Sequence, residues 1–408
     1  MPHRLLLALS LAAAALGCRE DATSPAGPGD SAPPTLVTAA ATAAATPAFR
    51  RAGAGEDHTC GVGTDSRAYC WGRNEFGQLG DGTITLGRLT PGLVAGTLRF
   101  LQVSPGVFHT CGVTTDNRAF CWGHNGPGRL GDGTTTQRLT PVAVVGGLRF
   151  LEVTAGSGHS CGVTTDYRAY CWGDNDLGAL GDGTITERHR PVPVAGGLAF
   201  RHLSAGGTLG SLHTCGVTTA NVAYCWGRND LGQLGDGTTT NRLKPVRVAG
   251  SLRFLLVRAA EVHTCGVTLD YRVFCWGENR SGQLGDGTTT QRLRPARVVG
   301  GLQFIQVSAG GGNRGGDVGF AFTCGLTPDH RPYCWGANDL GQLGDGTGTS
   351  HPTPAAVAGG LTFRQLSAGT GHACGVTPAD RAFCWGRNQF GQLGDGTTNN
   401  RPTPVPVQ

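Results

Sequence analysis

Short apolar segments separated by turn residues follow one another along most of this chain. In one unit, Phe100–Val103 alternates in polarity and predicts a strand, and Phe108–Val113 and Arg118–Gly123 predict two more. A long loop with a Gly-Asp-Gly-Thr sequence comes next, and Pro141–Val145 predicts a fourth strand that tolerates proline at an edge. The pattern predicts four short antiparallel strands in about 50 residues.

This unit occurs seven times, which points to one closed domain rather than to several unrelated ones. A period near 50 residues is typical of propellers, in which each unit is one blade. We therefore predict an all-β, seven-bladed β-propeller over residues 48–408. The units are marked by the seven tryptophans of the chain: Trp71, Trp122, Trp172, Trp226, Trp276, Trp335 and Trp385.

The phase of the repeat predicts how the ring closes. Phe49–Ala52 is interpreted as a second strand and the final Pro404–Val407 as a first strand, so neither end alone completes a blade. We expect this C-terminal strand to pair with the N-terminal three strands, because that arrangement removes exposed edges.

Three sequence features together resemble the regulator of chromosome condensation repeat. They are His109-Thr110-x-x-x-Thr114, Trp122-Gly123-x-Asn125 and the Gly-Gln-Leu-Gly-Asp-Gly-Thr run at 232–238. The resemblance implies a seven-bladed propeller. It leaves function open, because the family includes a nuclear exchange factor for a small GTPase, ubiquitin-ligase modules and a secreted beta-lactamase inhibitor.

Fourteen of the 15 cysteines form seven pairs with one spacing, ten positions apart across a turn. Facing residues in a hairpin lie within disulfide range, whereas zinc sites need ligands two to four residues apart. We predict one disulfide per blade and an oxidising compartment. The pairs are Cys60–Cys70, Cys111–Cys121, Cys161–Cys171, Cys215–Cys225, Cys265–Cys275, Cys324–Cys334 and Cys374–Cys384.

The fifteenth cysteine, Cys18, belongs to a predicted export signal. Residues 1–17 have a short positive start and an apolar run, Leu5–Leu16, that is too short to span a bilayer. The Ala15–Cys18 sequence resembles the lipobox of bacterial lipoproteins, which implies a lipid on Cys18. A plain signal peptide is the alternative. Residues 18–47 are rich in Ala, Thr, Pro, Ser and Gly and predict a flexible linker.

Composition and charge argue against several classes of function. Gly is frequent, at 69 residues of 408, and suits many tight turns. The net charge of +5 is too mild to suggest nucleic acid as a partner. No nucleophile–base pairing and no phosphate-binding loop is visible, so we predict a protein that is not an enzyme and that has no cofactor.

Two recurring polar residues have both a structural and a metal-binding interpretation. Six repeats place a histidine two residues before the first cysteine, and the sixth repeat has Phe322 there; a tie between neighbouring blades is favoured over a metal site or a pH sensor. The aspartate of Gly-Asp-Gly-Thr is interpreted as a turn residue, because one carboxylate per loop is too few for calcium. The histidines are His58, His109, His159, His213, His263 and His372.

Variation between the blades is concentrated in two kinds of loop, which an antiparallel blade places on one face. The first kind carries insertions at 206–212 and 310–322, and the second varies just after Trp-Gly. Apolar residues beside charges on a stiff disc are typical of a protein-binding surface, although they could equally pack on the next blade. The predicted partner-binding residues are Phe76, Phe108, Leu177, Leu209, Leu231, Asn313, Arg314, Asp317, Phe320, Leu340 and Phe390.

These observations favour an extracytoplasmic, membrane-anchored or secreted binding protein. We predict a monomer whose loop face binds a protein or a cell-surface glycan. Two alternatives stay open: a secreted enzyme inhibitor like the beta-lactamase inhibitor, and a guanine-nucleotide exchange factor. Export would separate the protein from a cytosolic GTPase.

Overall fold

Seven sheets follow one another along the chain, and each contains four consecutive antiparallel strands. The computed structural model describes residues 36–37, 46–208, 211–311 and 320–408. Inner strands of successive sheets contact each other, and the last sheet contacts the first, so the sheets form a ring. The predicted all-β, seven-bladed β-propeller is confirmed. The described ranges contain no helix that could cross a membrane.

From the axis outward, each blade has an inner, a second, a third and an outer strand. The inner strands are Phe49–Ala54, Phe100–Pro105, Phe150–Ala155, Phe200–Thr208, Phe254–Ala259, Gln306–Gly310 and Gln365–Ala368. The second strands are His58–Gly63, His109–Thr114, His159–Thr164, Ser211–Thr218, His263–Thr268, Phe322–Leu326 and His372–Val376. The third strands are Ala68–Asn74, Ala119–Gly123, Ala169–Gly173, Ala223–Gly227, Val273–Gly277, Pro332–Gly336 and Ala382–Gly386. The outer strands are Thr85–Leu93, Arg138–Ala143, Arg188–Pro193, Arg242–Arg247, Arg292–Arg297, His351–Ala356 and Arg401–Pro406.

The hydrophobic core lies between the blades, and the tryptophans fill it. Trp122 is fully buried and packs with Cys60, Val62 and Phe100, so it joins the second blade to the first. A Cβ on Gly80 of the first blade would lie 2.5 Å from the Trp122 indole nitrogen, which explains the glycine. The predicted packing of tryptophan between blades is confirmed.

Each predicted cysteine pair lies at disulfide distance across its hairpin. The two cysteines face each other in the pairing of the second and third strands, as Cys111 and Cys121 do. Their Cα atoms lie 4.0–4.1 Å apart in all seven blades. The bridges are buried in the core between blades, so each one fixes the hairpin that carries the tryptophan.

A buried hydrogen-bond relay joins each blade to the next. The Thr110 hydroxyl and the Trp122 indole N–H both donate to the Gln78 carbonyl oxygen, 2.9 Å away in each case. His58 Nε2 lies 2.9 Å from the same Thr110 hydroxyl. Because that hydroxyl already donates its proton to Gln78, it accepts from His58, which is therefore the neutral Nε2–H tautomer. The predicted tie between blades is present, and it goes through a hydroxyl rather than directly to backbone.

The histidine–hydroxyl pair of the relay recurs at six of the seven joints, although at the joint between the second and third blades the Trp172 indole nitrogen has no hydrogen-bond partner among the described residues. Burial lowers the pKa of these histidines, to about 3 in five of them and well below 6.5 in His109. A neutral imidazole suits the relay, because the Nδ1 atom of each ring has no hydrogen-bond partner in the part of the chain that the structure describes. The six pairs are His58–Thr110, His109–Ser160, His159–Thr214, His213–Thr264, His263–Thr323 and His372–Thr59.

The seventh joint, between the sixth and seventh blades, is apolar. Phe322 replaces the histidine and Ala373 replaces the hydroxyl residue, and both belong to one buried cluster with Trp385. Trp385 still donates to the Gln342 carbonyl oxygen, 3.1 Å away. Both partners of the hydrogen bond are therefore replaced together, so neither a histidine nor a hydroxyl is buried at this joint without its hydrogen-bond partner.

The predicted closure of the ring by strand exchange is wrong. The C-terminal strand Arg401–Pro406 pairs with Ala382–Gly386 in its own blade, and the first blade has its own outer strand, Thr85–Leu93. The physical reason is that every blade is a complete local meander, so no strand is missing at either end. The ring closes through the ordinary joint, in which Thr59 and Trp71 donate to the Gln392 carbonyl oxygen.

Two residues of the predicted flexible linker belong to the first blade. Leu36–Val37 pairs in parallel with Gly87 and Arg88 of the outer strand, and makes a five-stranded sheet there. The prediction of a linker without regular structure is therefore wrong at these two positions, because a parallel partner satisfies their backbone groups. Residues 1–35 and 38–45 lie outside the described residues.

The apolar joint predicts the result of a transplant. We expect His263→Phe alone to destabilise the domain by about 1–3 kcal/mol, because the Thr323 hydroxyl loses its buried donor. The double variant His263→Phe, Thr323→Ala copies the joint between the sixth and seventh blades and should recover most of the loss. Unfolding in guanidinium chloride measures the stability of the double variant and of each single variant, His263→Phe and Thr323→Ala. A loss of stability in the double variant that exceeds the sum of the two single losses would contradict the paired role.

The buried histidines predict a pH-dependent stability. In the unfolded chain they titrate near pH 6.5, whereas burial holds the folded pKa near 3, so only the unfolded chain gains protons between these values. Their contribution is complete above pH 6.5 and is lost as the pH falls toward 3, by up to about 1.4 kcal/mol per pH unit for each histidine. The denaturation midpoint should fall steeply between pH 6.5 and 5; a midpoint constant over that range would contradict neutral relays.

Candidate functional site

The variable loops lie together on one face of the ring, which we call the loop face. It consists of the loops after the inner strands and the loops after the third strands, which antiparallel pairing brings to the same end. Phe76 of the first blade and Phe108 of the second come from these two kinds of loop, and their ring centroids lie 5.2 Å apart. The prediction that the variable loops share a face is confirmed.

A buried asparagine holds each long loop in place. The side-chain amide of Asn125 donates to the Asp132 carboxylate and to the carbonyl oxygens of Thr134 and Thr136, at 3.0–3.1 Å. Its oxygen accepts from the backbone N–H of Leu130, 2.9 Å away. One side chain thus satisfies donors and acceptors across the whole loop.

The aspartate of each Gly-Asp-Gly-Thr sequence closes the turn. One carboxylate oxygen of Asp132 accepts from the backbone N–H and the hydroxyl of Thr134, and the other pairs with Arg138. The hydrogen bonds and the arginine hold the pKa of Asp132 below its usual value, although burial opposes them. The predicted turn role is confirmed. Among the described residues, no group of three His, Cys, Asp or Glu side chains could hold a metal ion.

A glutamine fixes the tip of the loop in five blades. The Gln78 side-chain oxygen accepts from the backbone N–H of Phe76, 2.9 Å away, and Gln233 does the same for Leu231. The second and third blades have Arg129 and Ala179 at this position. The tips are therefore presented on an ordered backbone, which is what a recognition surface requires.

The predicted apolar tips are half-buried rather than fully exposed. Phe76 packs edge-on against Phe108 and against the His124 ring, so it covers the joint with the next blade. Such tips pack on a neighbouring blade with one side and face solvent with the other. They can therefore stabilise the ring and also form part of a partner-binding surface. The half-buried tips are Phe76, Phe108, Leu177, Leu231, Phe320, Leu340 and Phe390.

A charged cluster surrounds one tip at the joint between the seventh and first blades. The guanidinium groups of Arg73 and Arg387 lie 5.1 and 5.8 Å from the Phe390 ring centroid. Arg387 pairs with Asp57 at 2.5 Å, and both side chains are at least 94% buried. Removing one partner of such a buried pair is costly, so this cluster fixes the local surface.

Several predicted residues lie outside the described ones. They are Cys18, which is the predicted lipid site, and the inserted-loop residues Leu209, Asn313, Arg314 and Asp317. Sequence analysis missed two exposed residues of the loop face, Ile84 and Ile185, which are 53% and 62% exposed. Both stand where four other blades have threonine and the sixth has Gly348, so comparing the repeats position by position would have found them.

Comparison with known protein families identifies the repeat. The family model described as "Regulator of chromosome condensation (RCC1) repeat" matches residues 65–113, 116–163, 167–215, 222–267, 270–313, 329–376 and 380–408. The chain belongs to the RCC1 repeat family. Five of the seven matched repeats begin near a third strand and end in the second strand of the next blade, so each of these five contains one complete joint between blades.

Curated relatives share part of this repeat array. The chain is 30% identical over 200 residues to the E3 ubiquitin-protein ligase HERC2 of Homo sapiens, which is 48% of this chain and 4% of that protein. It is 37% identical over 76 residues to the probable E3 ubiquitin-protein ligase HERC4 of Homo sapiens, 18% of this chain and 7% of that protein. The chain thus spans a small fraction of these relatives.

Solved structures share the fold at low sequence identity. Prp20p from Saccharomyces cerevisiae superimposes with a TM-score of 0.72 at 19% identity, covering 90% of this chain and 87% of that one. Human WBSCR16 gives a TM-score of 0.69 at 19% identity, with 79% and 84% covered. At this identity the likeness concerns the RCC1-type propeller fold.

Proposed function

We propose that this RCC1-type propeller is a non-catalytic, extracytoplasmic binding protein whose loop face recognises a protein partner. The observation that carries the proposal is the contrast between the constant backbone of the loops and their variable tip side chains. Their backbone is fixed by the same asparagine and aspartate contacts in each blade, whereas their tip side chains differ from blade to blade. A fixed frame with variable tips is suited to recognition.

The chemistry of the tips supports a protein as the partner. The loop face combines half-buried Phe and Leu side chains, the exposed Ile84 and Ile185, and charged tips such as Arg280, whose side chain is 76% exposed. Apolar anchors within a polar rim are typical of protein interfaces. Solved relatives are described with protein partners: yeast RCC1 (Prp20) bound to Kap60, and the binding properties of Prp20p to Gsp1p and histones.

Seven buried disulfides support a location outside the cytosol. Intracellular thiols are kept reduced, and structural disulfides persist in oxidising compartments. Together with the predicted export signal in residues 1–17 and the lipobox-like Cys18, they favour a protein held at a membrane surface by an N-terminal lipid.

A swap between blades tests the loop face with little risk to the fold. Leu177, Leu231 and Leu340 occupy the position that is Ser281 in the fifth blade, so the triple variant Leu→Ser uses a residue that the frame already accepts. We expect capture of a partner from native envelope extracts to fall by about tenfold or more, because apolar anchors dominate interface energies.

The matched control lies on the opposite face. Tyr167 and Tyr271 are exposed turn residues with positive φ, and Asn117 and Asn221 hold the same position in other blades. The variant Tyr167→Asn, Tyr271→Asn should bind as the original protein does. Equal losses in both variants, or no loss in the triple variant, would overturn the assignment of binding to the loop face.

The anchor is tested separately. We expect the full-length chain to fractionate with membranes, and Cys18→Ala to release it in soluble form with its propeller intact. Mass spectrometry of the mature N-terminus should show a lipid on Cys18. Recovery of an unmodified Cys18 in a soluble protein would contradict the anchor and leave the loop-face proposal standing.

A further inference from the structure

The axial channel is wide at the face opposite the loop face and narrow at the other end. Its wide part is a cavity of about 690 Å³, lined by the inner strands. Toward the loop face the lining changes to Ala and Gly, and the cavity there measures about 90 Å³. At that end the Thr370 hydroxyl donates to the Glu261 carboxylate, 3.3 Å away, so blades five and seven meet. Over the described residues, the wide part is thus a pocket with a constricted floor.

One position on each inner strand distinguishes the blades inside this channel. It lies two residues after the phenylalanine of the inner strand, and we call it the channel position. Gln306 and Gln365 show its structural use, because each accepts from a backbone N–H and donates to a backbone carbonyl of the next blade. The residues at this position are Arg51, Gln102, Glu152, His202, Leu256, Gln306 and Gln365.

A connected charged chain replaces the glutamine pattern in the third to fifth blades. Glu152 accepts from the Leu203 backbone N–H at 2.5 Å and lies 3.1 Å from His202 Nδ1. Arg258 donates from Nη1 to His202 Nε2 at 2.9 Å. Arg258 stands two residues further along its strand, where every other blade has Gly, Ser or Thr, so its long side chain enters the channel where the others leave room.

The positive charges of the channel exceed the negative ones. Arg51 and Arg258 both line the wide cavity, and Arg51 has no hydrogen-bond or ion-pair partner among the described residues. Burial lowers the pKa of Arg258, the nearby Glu152 carboxylate raises it, and the like charge of Arg51 lowers it again. Arg364 also lines the cavity, but its charge is matched by Asp380 at 2.5 Å. Arg258 and the more exposed Arg51 therefore line the same cavity, and Glu152, whose charge attracts Arg258, is also held by His202 and Leu203.

We propose that Arg51 and Arg258 form a binding site for a small oxyanion of the phosphate, sulfate or dicarboxylate class in the wide part of the channel. Guanidinium groups bind such anions through paired N–H donors, and a partly enclosed site strengthens these contacts. The cavity volume is in the range of small-molecule sites. The site faces away from the loop face, so it is independent of the proposed partner surface.

Titration calorimetry and thermal unfolding of the mature domain test this site, with inorganic phosphate, sulfate and succinate as separate probes at constant ionic strength. The variants use residues that other blades accept: Arg51→Gln and Arg258→Ser. We expect saturable one-to-one binding of at least one probe, with a rise in melting temperature. Each variant should weaken binding by about tenfold or more, because a charged hydrogen-bond donor is lost.

Arg168→Val is the matched control. It removes one positive charge from a turn where the side chain is 72% exposed, and Val222 occupies the same position in the fourth blade. Its binding should equal that of the original protein. Absence of saturable binding by all three probes, unchanged affinity in both channel variants, or equal weakening by Arg168→Val would each overturn the proposal.

Discussion

The fold depends on an acceptor that two donors share at five of the seven joints, the carbonyl oxygen of the loop residue that follows each loop tip. In the first joint the Gln78 carbonyl receives both the Thr110 hydroxyl and the Trp122 indole, and His58 donates into the same network. The carbonyl belongs to one blade and two of its donors to the next. A blade therefore cannot move without breaking several buried hydrogen bonds at once, and buried polar groups without partners are expensive.

The joint also explains which residues change together. Phe322 and Ala373 replace a histidine and a hydroxyl across one interface, so the polar pair is absent rather than half-made. A second case lies on the inner strands, where Ser104 accepts from the Ala155 backbone N–H of the next blade. The first blade has Gly53 in place of such a serine, and it faces Pro105, which has no N–H to offer. Each blade is thus fitted to its successor, although all share one architecture.

Local features were predictable from the sequence, and contacts between blades were not. The Cys111–Cys121 bridge follows from hairpin geometry, and the turn at Asp132 follows from side-chain chemistry within two residues. The end of the chain was misassigned because a repeat period does not show where a sheet begins. Arg51 and Arg258 were also missed: their proximity arises from ring closure, between blades one and five, and no spacing along the chain encodes it.

The constant contacts that hold the loop backbone are separate from the side chains that differ between blades, and this separation bears on how such a protein acquires specificity. Asn125, Asp132 and their equivalents satisfy the loop backbone without help from the tip, so the loop frame is the same in blades whose tips are Leu or Ser. The inner strands behave differently. There the glutamines bridge blades, whereas Glu152 belongs to a network that His202 and Arg258 of the next two blades complete. Variation is thus nearly free at the loop tips and coupled in the channel. Arg258, which enters the channel where the other blades have Gly, Ser or Thr, is therefore a stronger indication of a bound ligand than an unusual residue on the loop face.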